Sequence, residues 1–278
     1  MLLKNFIKYQ SLGNDFIVLD WYKKPDMYIQ SMLGSQRWHD FIVSMCNRHT
    51  GVGADGVLVL KTDPSRHLHE MLIFNADGSQ AQMCLNGLRC MVHYLFTQYG
   101  LSNVIDVRLG ARIMNNQVEG TRDKLEEIVI TTHVGQVDYQ ETCAIKIGKE
   151  SLVGNCVNVG NPHFIVMKEV DTAWLGQYGH TIERHTAFPE GTNVEFVWPD
   201  AHESDLFHML VHERGCGITQ ACSSGAAAVL SVLKKQKLLE AGRVVRIRML
   251  GGTVLGWCND QNEIFLKAQA ICVFQGNF

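Results

Sequence analysis

The stretch Ala81–Phe96, "AQMCLNGLRCMVHYLF", sets Cys84 three residues before a glycine and directly ahead of an apolar run. Leu88, Met91, Val92, Leu95 and Phe96 recur at the spacing of one helix face, and Gly100 follows as a stop. A second stretch, Thr219–Lys235, "TQACSSGAAAVLSVLKK", repeats the arrangement around Cys222. Ala226, Val229, Leu230 and Leu233 supply its apolar face. Lys234, Lys235 and Lys237 form a basic last turn ahead of Gly242. The spacing therefore predicts two long helices, each headed by a cysteine.

The likeness extends outward. Cys222 follows Cys84 by 138 residues (222 − 84), and Gly225 and Gly87, Glu213 and Asn75, Gly191 and Gly53, and Asn193 and Asp55 keep the same offset. Earlier, "GNDFIV" at Gly13 is echoed by "GNPHFIV" at Gly160. Between these points lie short runs rich in Val, Ile and Phe, bounded by Gly, Asn and Asp, which read as strands: "DFIVLD", "GVLVLK", "MLIFN", "NVEFVW", "LFHMLVH" and "EIFLKAQAICVF" among them. Ordered matches of strand, strand and cysteine-headed helix are the mark of an internal repeat. The fold class is α+β: two pseudo-symmetric domains, each a many-stranded sheet wrapped around a central helix. The expected halves are 1–122 and 123–267, with the hinge near the polar, turn-rich "NNQVEGTRDKLEE".

Composition narrows the function. A chain of 278 residues, 46% hydrophobic and 19% charged, fits a globular protein of about two domains. A formal net charge of −3 gives no electrostatic footprint for nucleic acid or an anionic membrane surface. No apolar run approaches the roughly 20 residues that span a bilayer, and "MLLKNFIKYQSLGN" lacks the pattern of a secretory signal. The nine cysteines accordingly read as reduced cytoplasmic thiols, not a disulfide framework. Their spacing matches no structural zinc site, so no metal is expected.

Cys46, Cys90, Cys143, Cys156, Cys258 and Cys272 suit small buried fillers, and Cys216, in "HERGCGITQ", a structural role; none has a matched setting. Cys84 and Cys222 differ. A helix N-terminus carries about half a positive charge and unpaired N–H groups, which lower a thiol's pKa and attract an anion. If the halves pack about a pseudo-two-fold axis, a carboxylate can lie between the helix starts, held by backbone N–H groups of Leu85, Asn86, Ser223 and Ser224. One thiolate would remove the proton beside that carboxylate and the opposite thiol would return one, inverting the centre. Such a pair titrates as a coupled unit. Oxidation to a Cys84–Cys222 disulfide would give an inactive form. The asparagines Asn14, Asn75, Asn161 and Asn193 have a plainer use in bonding their own turns. Glu213 and Arg214 could be an ordinary surface pair.

The motifs "LGNDFIVLD", "RHTGVGADGVLVL", "FNADGSQAQMCLNGLRC", "VGNPHFIV", "GTNVEFV" and "HERGCGITQACSSGA" resemble those of the diaminopimelate epimerase family, in its order and over nearly the whole chain. The resemblance implies that family's fold, with the terminal strand 268–278 returning to the first domain. It implies interconversion of LL- and meso-diaminopimelate in lysine and cell-wall precursor synthesis, without pyridoxal phosphate or other cofactor, by a homodimer. Carried over by residue, Cys84 and Cys222 match the acid/base cysteines and Glu213 the carboxylate receiving the α-ammonium. His163 matches the histidine beside a cysteine. Asn14, Asn75, Asn161, Asn193 and Arg214 match groups that hold the substrate. Leu85, Leu88, Ser223 and Ile218 depart from the family pattern and are expected to cluster near the mouth of the cleft. Two other readings stay open: a racemase of another amino acid, and a non-catalytic amino-acid-binding module whose thiols sense oxidation.

Overall fold

The computed structural model describes residues 5–21, 31–63 and 68–277. The first four residues of the opening stretch therefore lie outside the described residues. The chain divides into two compact units, Met1–Thr132 with Gln269–Phe278, and His133–Ala268.

In the first unit, β1 (Asn5–Ser11) and β2 (Asn14–Asp20) form an antiparallel hairpin. Leu12 (φ 54°) and Gly13 (φ 77°) turn it in the left-handed region, the twist that suits a two-residue connection, and return Asn14 to the ladder opposite Ser11. The chain then crosses through α1 (Gln36–Cys46), capped by Ser35, to β3 (Gly56–Asp63), parallel to β2. Next come β4 (Leu68–Asn75), antiparallel to β3, and the short β5 (Gln80–Ala81). Helix α2 (Leu85–Tyr99) leads to β6 (Val104–Leu109), parallel to β4, which pairs with β7 (Arg112–Glu119). The terminal β18 (Ile271–Asn277) runs antiparallel to β1.

The second unit repeats this order. Strand β9 (Asp138–Ile147) is antiparallel to β10 (Glu150–Asn158), and β10 to β11 (Pro162–Val166). A crossover through α3 (Thr172–Glu183) reaches β12 (Asn193–Pro199), parallel to β11. Then follow β13 (Leu206–Glu213), antiparallel to β12, and the short β14 (Gly217–Ile218). Helix α4 (Ser223–Lys235) leads to β15 (Val245–Met249), parallel to β13, and to β16 (Gly252–Cys258) and β17 (Ile264–Gln269). From β18–β1 onward and from β9–β10 onward, the pairing senses are the same.

The long helices are cores, not surface elements. Every residue of α2 from Leu85 to Phe96 is buried, and it touches β1, β2, β3, β4, β6, β7 and β18. Gly100 (φ 62°) caps it in the left-handed conformation. Helix α4 buries Ser223–Leu230, Val232 and Leu233 against β9, β10, β11, β12 and β16. Its run Ala226–Ala228 presents little volume, which lets sheet and helix approach closely. Each fully buried Leu, Met or Val contributes about 1.5–3 kcal/mol relative to exposure. On the other side of each sheet sits the crossover helix. Trp38 and Ile42 of α1 pack with Trp21 and Phe74, and Leu175 and Ile182 of α3 with Phe164 and Phe196.

The polar "NNQVEGTRDKLEE" ends β7 and forms a 3-10 turn at Leu125–Glu127 within the first unit; the chain enters the second unit within β8 (Val129–Gly135). The single apolar run "EIFLKAQAICVF" is two strands, β17 and β18, parted at Ala270.

Candidate active site

Both cysteines are helix N-caps. Cys84 has extended backbone (φ −155°, ψ 104°), and its Sγ accepts the Gly87 N–H at 3.3 Å. Cys222 (φ −121°, ψ 102°) accepts the Gly225 N–H at 3.3 Å. An N-cap usually carries an oxygen from Ser, Thr, Asp or Asn. Here sulfur stands in the positive end of each helix dipole, where a thiolate gains most from the free N–H groups. Leu85, Asn86, Ser223 and Ser224, the first residues of the two helices, are all buried.

In the first unit, Asn14 Oδ1 lies 4.0 Å from Cys84 Sγ and accepts from Asn86 Nδ2 at 3.4 Å. Asn14 is itself fixed by donating to Asp55 at 2.6 Å. Behind it, Arg48 spans Asp15 and Asp55, while buried Lys8 contacts Asp15 at 2.6 Å and donates to the Gly53 carbonyl. Asn75, the last residue of β4, pairs with Gly56 beside Asp55 and donates to Ser79 Oγ at 2.9 Å.

Burial acts to raise the Asp15 pKa, but hydrogen bonds from Arg48 and Lys8 outweigh it and hold the carboxyl at about 2. A folded-state pKa below the unfolded value of about 4 means stability that is complete above that value and lost as pH falls toward 2. Asp15→Asn is therefore expected to be less stable than wild type at pH 6, with the gap closing between pH 4 and pH 2. Urea midpoints across that range check this; a gap that persists at pH 2 contradicts it.

In the second unit, Cys222 Sγ lies 3.4 Å from Ser224 Oγ, which in turn accepts from Asn161 Nδ2 at 3.4 Å. His163 donates from Nδ1 to Glu195 Oε1 at 2.6 Å, and its Nε2 is 3.1 Å from Asn161 Oδ1. Glu213 accepts from Thr219 at 2.5 Å. Burial raises the Glu213 pKa; burial, followed by the charges of Glu213 and Glu195, pushes the Cys222 thiol well above its usual value. Asn193 is used internally: Nδ2 donates to the Pro162 carbonyl at 2.8 Å and Oδ1 accepts the Arg214 N–H at 3.0 Å, tying β12 to the ends of β11 and β13. The Arg214 guanidinium donates to the Glu190 carbonyl at 3.0 Å.

Cys222 Sγ, a His163 ring nitrogen and a Glu195 oxygen all lie within 4.8 Å of one another, the one such donor group among the described residues. The trio has the elements of a soft-cation site, but the short His163–Glu195 hydrogen bond already commits two of its donors to each other. The arrangement suits a proton network. A cavity of about 460 Å³ lies at the far end of α4, lined in part by Lys234, Lys235, Lys237, Tyr139 and Cys258. Its first lining residue on the helix, Ser231, is nine residues from Cys222 (231 − 222), roughly 13 Å along the axis at 1.5 Å per residue. Cys46 and Cys156, by contrast, are thiols pushed to about 11 chiefly by burial.

Sequence reading overlooked Glu195, Arg89 and the Lys8–Asp15–Arg48–Asp55 cluster. Glu195 had a signal: a carboxylate at the centre of "NVEFVW", a strand buried on both faces, requires a partner. The departures at Leu85, Leu88, Ser223 and Ile218 are not at an open mouth. The first three are buried, and Ile218 packs into the apolar cluster beneath α3.

These mixed sheets wrapped around central helices are a fold shared with solved racemase and epimerase structures. A hydroxyproline epimerase from Agrobacterium vitis, solved with bound trans-4-hydroxy-L-proline, superposes with a TM-score of 0.76 at 12% identity, over 100% of this chain and 93% of that one. A PhzF-family phenazine biosynthesis protein from Bacillus anthracis superposes with a TM-score of 0.74 at 12% identity, over 100% and 99%. The family model for diaminopimelate epimerase matches residues 6–137 and 155–273. Diaminopimelate epimerases from Halothermothrix orenii and Gloeothece citriformis are 34% and 33% identical over 98% of this chain, covering 96% and 97% of theirs. The chain belongs to the diaminopimelate epimerase family, and it is an isomerase.

Proposed function

We propose that this protein interconverts LL- and meso-diaminopimelate by proton transfer between Cys84, Cys222 and one substrate α-carbon. The observation that carries this reading is the pair of sulfurs capping helix N-termini with the same 3.3 Å bond to a glycine N–H three residues on. The substrate carboxylate is held by backbone N–H groups at those helix starts, including Leu85, Asn86, Ser223 and Ser224. The α-ammonium meets Glu213, and Asn14, Asn75, Asn161, Asn193 and Arg214 serve the rest of the substrate, with His163 supporting Cys222.

One thiolate takes the α-proton, so the C–H bond breaks and S–H forms. The electron pair left on carbon takes the proton of the opposite thiol, leaving that sulfur as thiolate. The helix dipoles stabilise the negative charge that develops on the substrate between the two transfers. No electron sink is required of a cofactor in this scheme. The family likeness also supports a cytoplasmic homodimer.

Incubation in deuterated water with a panel of amino acids tests the assignment. Deuterium is expected at an α-carbon of diaminopimelate. Exchange only with another amino acid would instead identify a racemase of that substrate. Binding without exchange, altered by reductant, would identify a redox-sensitive binding module.

A further inference from the structure

The two helix starts share a backbone and differ in charge. In the first unit Gly87 backs onto Leu58 of β3, and a Cβ there would stand 2.9 Å from Leu58 Cδ2. In the second, Gly225 backs onto Glu195 of β12, and a Cβ there would stand 2.5 Å from Glu195 Oε1. Strand register makes these two residues counterparts. Leu58 pairs with Val18 in the parallel β2–β3 ladder as Glu195 pairs with Ile165 in β11–β12. Two residues earlier, Phe16 stands opposite Gly56 where His163 stands opposite Asn193. Apolar Phe16 and Leu58 thus hold the places taken in the second unit by the hydrogen-bonded His163 and Glu195.

The opposite exchange occurs along the helices. Arg89, fully buried in α2, donates to Ser11 Oγ at 3.1 Å and to Asn86 Oδ1. The residue 138 positions on is Ala227. So a buried cation lies in the turn behind Cys84, and a buried carboxylate lies beneath Cys222.

We propose that Arg89 and Glu195 are positioning residues of opposite sign that hold the resting enzyme with Cys84 as thiolate and Cys222 as thiol. The proposal rests on the reading that these two cysteines move the substrate proton. Charges in a protein interior act across several ångströms with far less screening than in water. Cys84 meets Arg89, Cys90 and the Gly87 N–H on its own helix, and Asn14 on β2. The Asp15 charge on β2 is countered by Lys8 and Arg48. Cys222 meets Glu195 on β12, Glu213 on β13, His163 on β11 and Ser224 on its own helix. Burial, then the two carboxylates, raise the Cys222 thiol, while burial lowers Arg89 to about 10 against the opposing pull of Cys90 and then of Cys84. In the resting enzyme, Cys84 then removes the α-proton, and Cys222 S–H protonates the carbon from the other side. The epimer presenting its hydrogen to Cys84 reacts without a prior exchange of protons between sulfur and water.

The test is iodoacetamide labelling of the full-length protein across pH, with each cysteine followed separately by peptide mass spectrometry. The labelling midpoint, not the rate, is compared, because Cys222 is the less exposed. In wild type, the Cys84 midpoint is expected at least one pH unit below that of Cys222, a tenfold or greater difference in the thiolate-to-thiol ratio at a given pH. Glu195→Gln should lower the Cys222 midpoint, and Arg89→Met should raise that of Cys84, each by at least one unit. A merely structural role would not move the two in opposite directions. Coincident or inverted wild-type midpoints overturn the proposal, and so do midpoints unmoved in folded variants. The wild-type comparison decides the resting assignment even if a variant does not fold. If alanine at Cys84 or Cys222 leaves α-hydrogen exchange intact, the catalytic reading itself fails, whatever the midpoints show.

Discussion

Cys84→Ala and Cys222→Ala are each expected to lower epimerisation of diaminopimelate by about a thousandfold. A positioned general acid or base contributes about 10²–10⁴-fold, and loss of either sulfur removes one half of the transfer. Alanine also removes an N-cap, at a cost of about 1 kcal/mol, so a loss of activity by itself would not separate chemistry from stability. Cys84→Ser and Cys222→Ser make that separation. A serine oxygen can accept the Gly87 or Gly225 N–H and restore the cap, yet its hydroxyl is far too weak an acid to exchange protons at neutral pH. The serine variants should melt near wild type and remain as inactive as the alanine variants. Serine variants retaining a tenth of wild-type activity would show that the sulfurs are caps and not acid and base.

Gly225→Ala is expected to be the most damaging single-methyl substitution in the site. The new Cβ would sit 2.5 Å from Glu195 Oε1 and 3.1 Å from its Cδ, against a side chain held by His163 and buried on all sides. Neither helix nor strand can give way without disturbing the Cys222 cap. Overpacking of this kind costs about 1–3 kcal/mol, which at this size lowers the melting temperature by several degrees. Activity should fall much further, because the displaced carboxylate carries His163 with it. Gly87→Ala is the control. Its nearest contact is Leu58 Cδ2 at 2.9 Å, the far end of a flexible side chain, with Cys84 Sγ at an ordinary 3.5 Å. Thermal melts and exchange rates on the pair should rank Gly225→Ala well below Gly87→Ala; equal effects would mean that Glu195 is not tightly held.

The repeat was legible because both units use the same device, a cysteine-capped helix threaded through a sheet, with apolar residues at unbroken helical spacing. Helix α1 was harder to read. Its buried residues Trp38, Ile42, Met45 and Cys46 follow helical spacing, but Arg37, His39, Asp40 and Ser44 interrupt the run. Helix α3 shows only Leu175, Gly179 and Ile182 along its buried stripe besides Glu183, and two of its residues are glycines. Strands β1, β7 and β10 escaped notice because Lys8, Asn116 and Asn155 stand at buried positions that strand patterns assign to apolar residues. Those groups are satisfied by tertiary partners invisible in one dimension: Lys8 by Asp15 and Gly53, Asn116 by Thr132, and Asn155 by Tyr139. For the same reason the motifs showed Cys84, Cys222, Asn14 and His163 but not the charges behind them. A buried arginine or glutamate acquires its meaning from register and packing.

The most direct measurement of the central claim is isotope tracing at early conversion in deuterated water. With a base on one face of the substrate carbon and an acid on the other, the first product formed should carry one solvent deuteron at the inverted centre, while recovered substrate keeps its original hydrogen. Product that retains the substrate's own hydrogen would mean that a single group removes and returns the proton, and the two-sulfur account would be wrong.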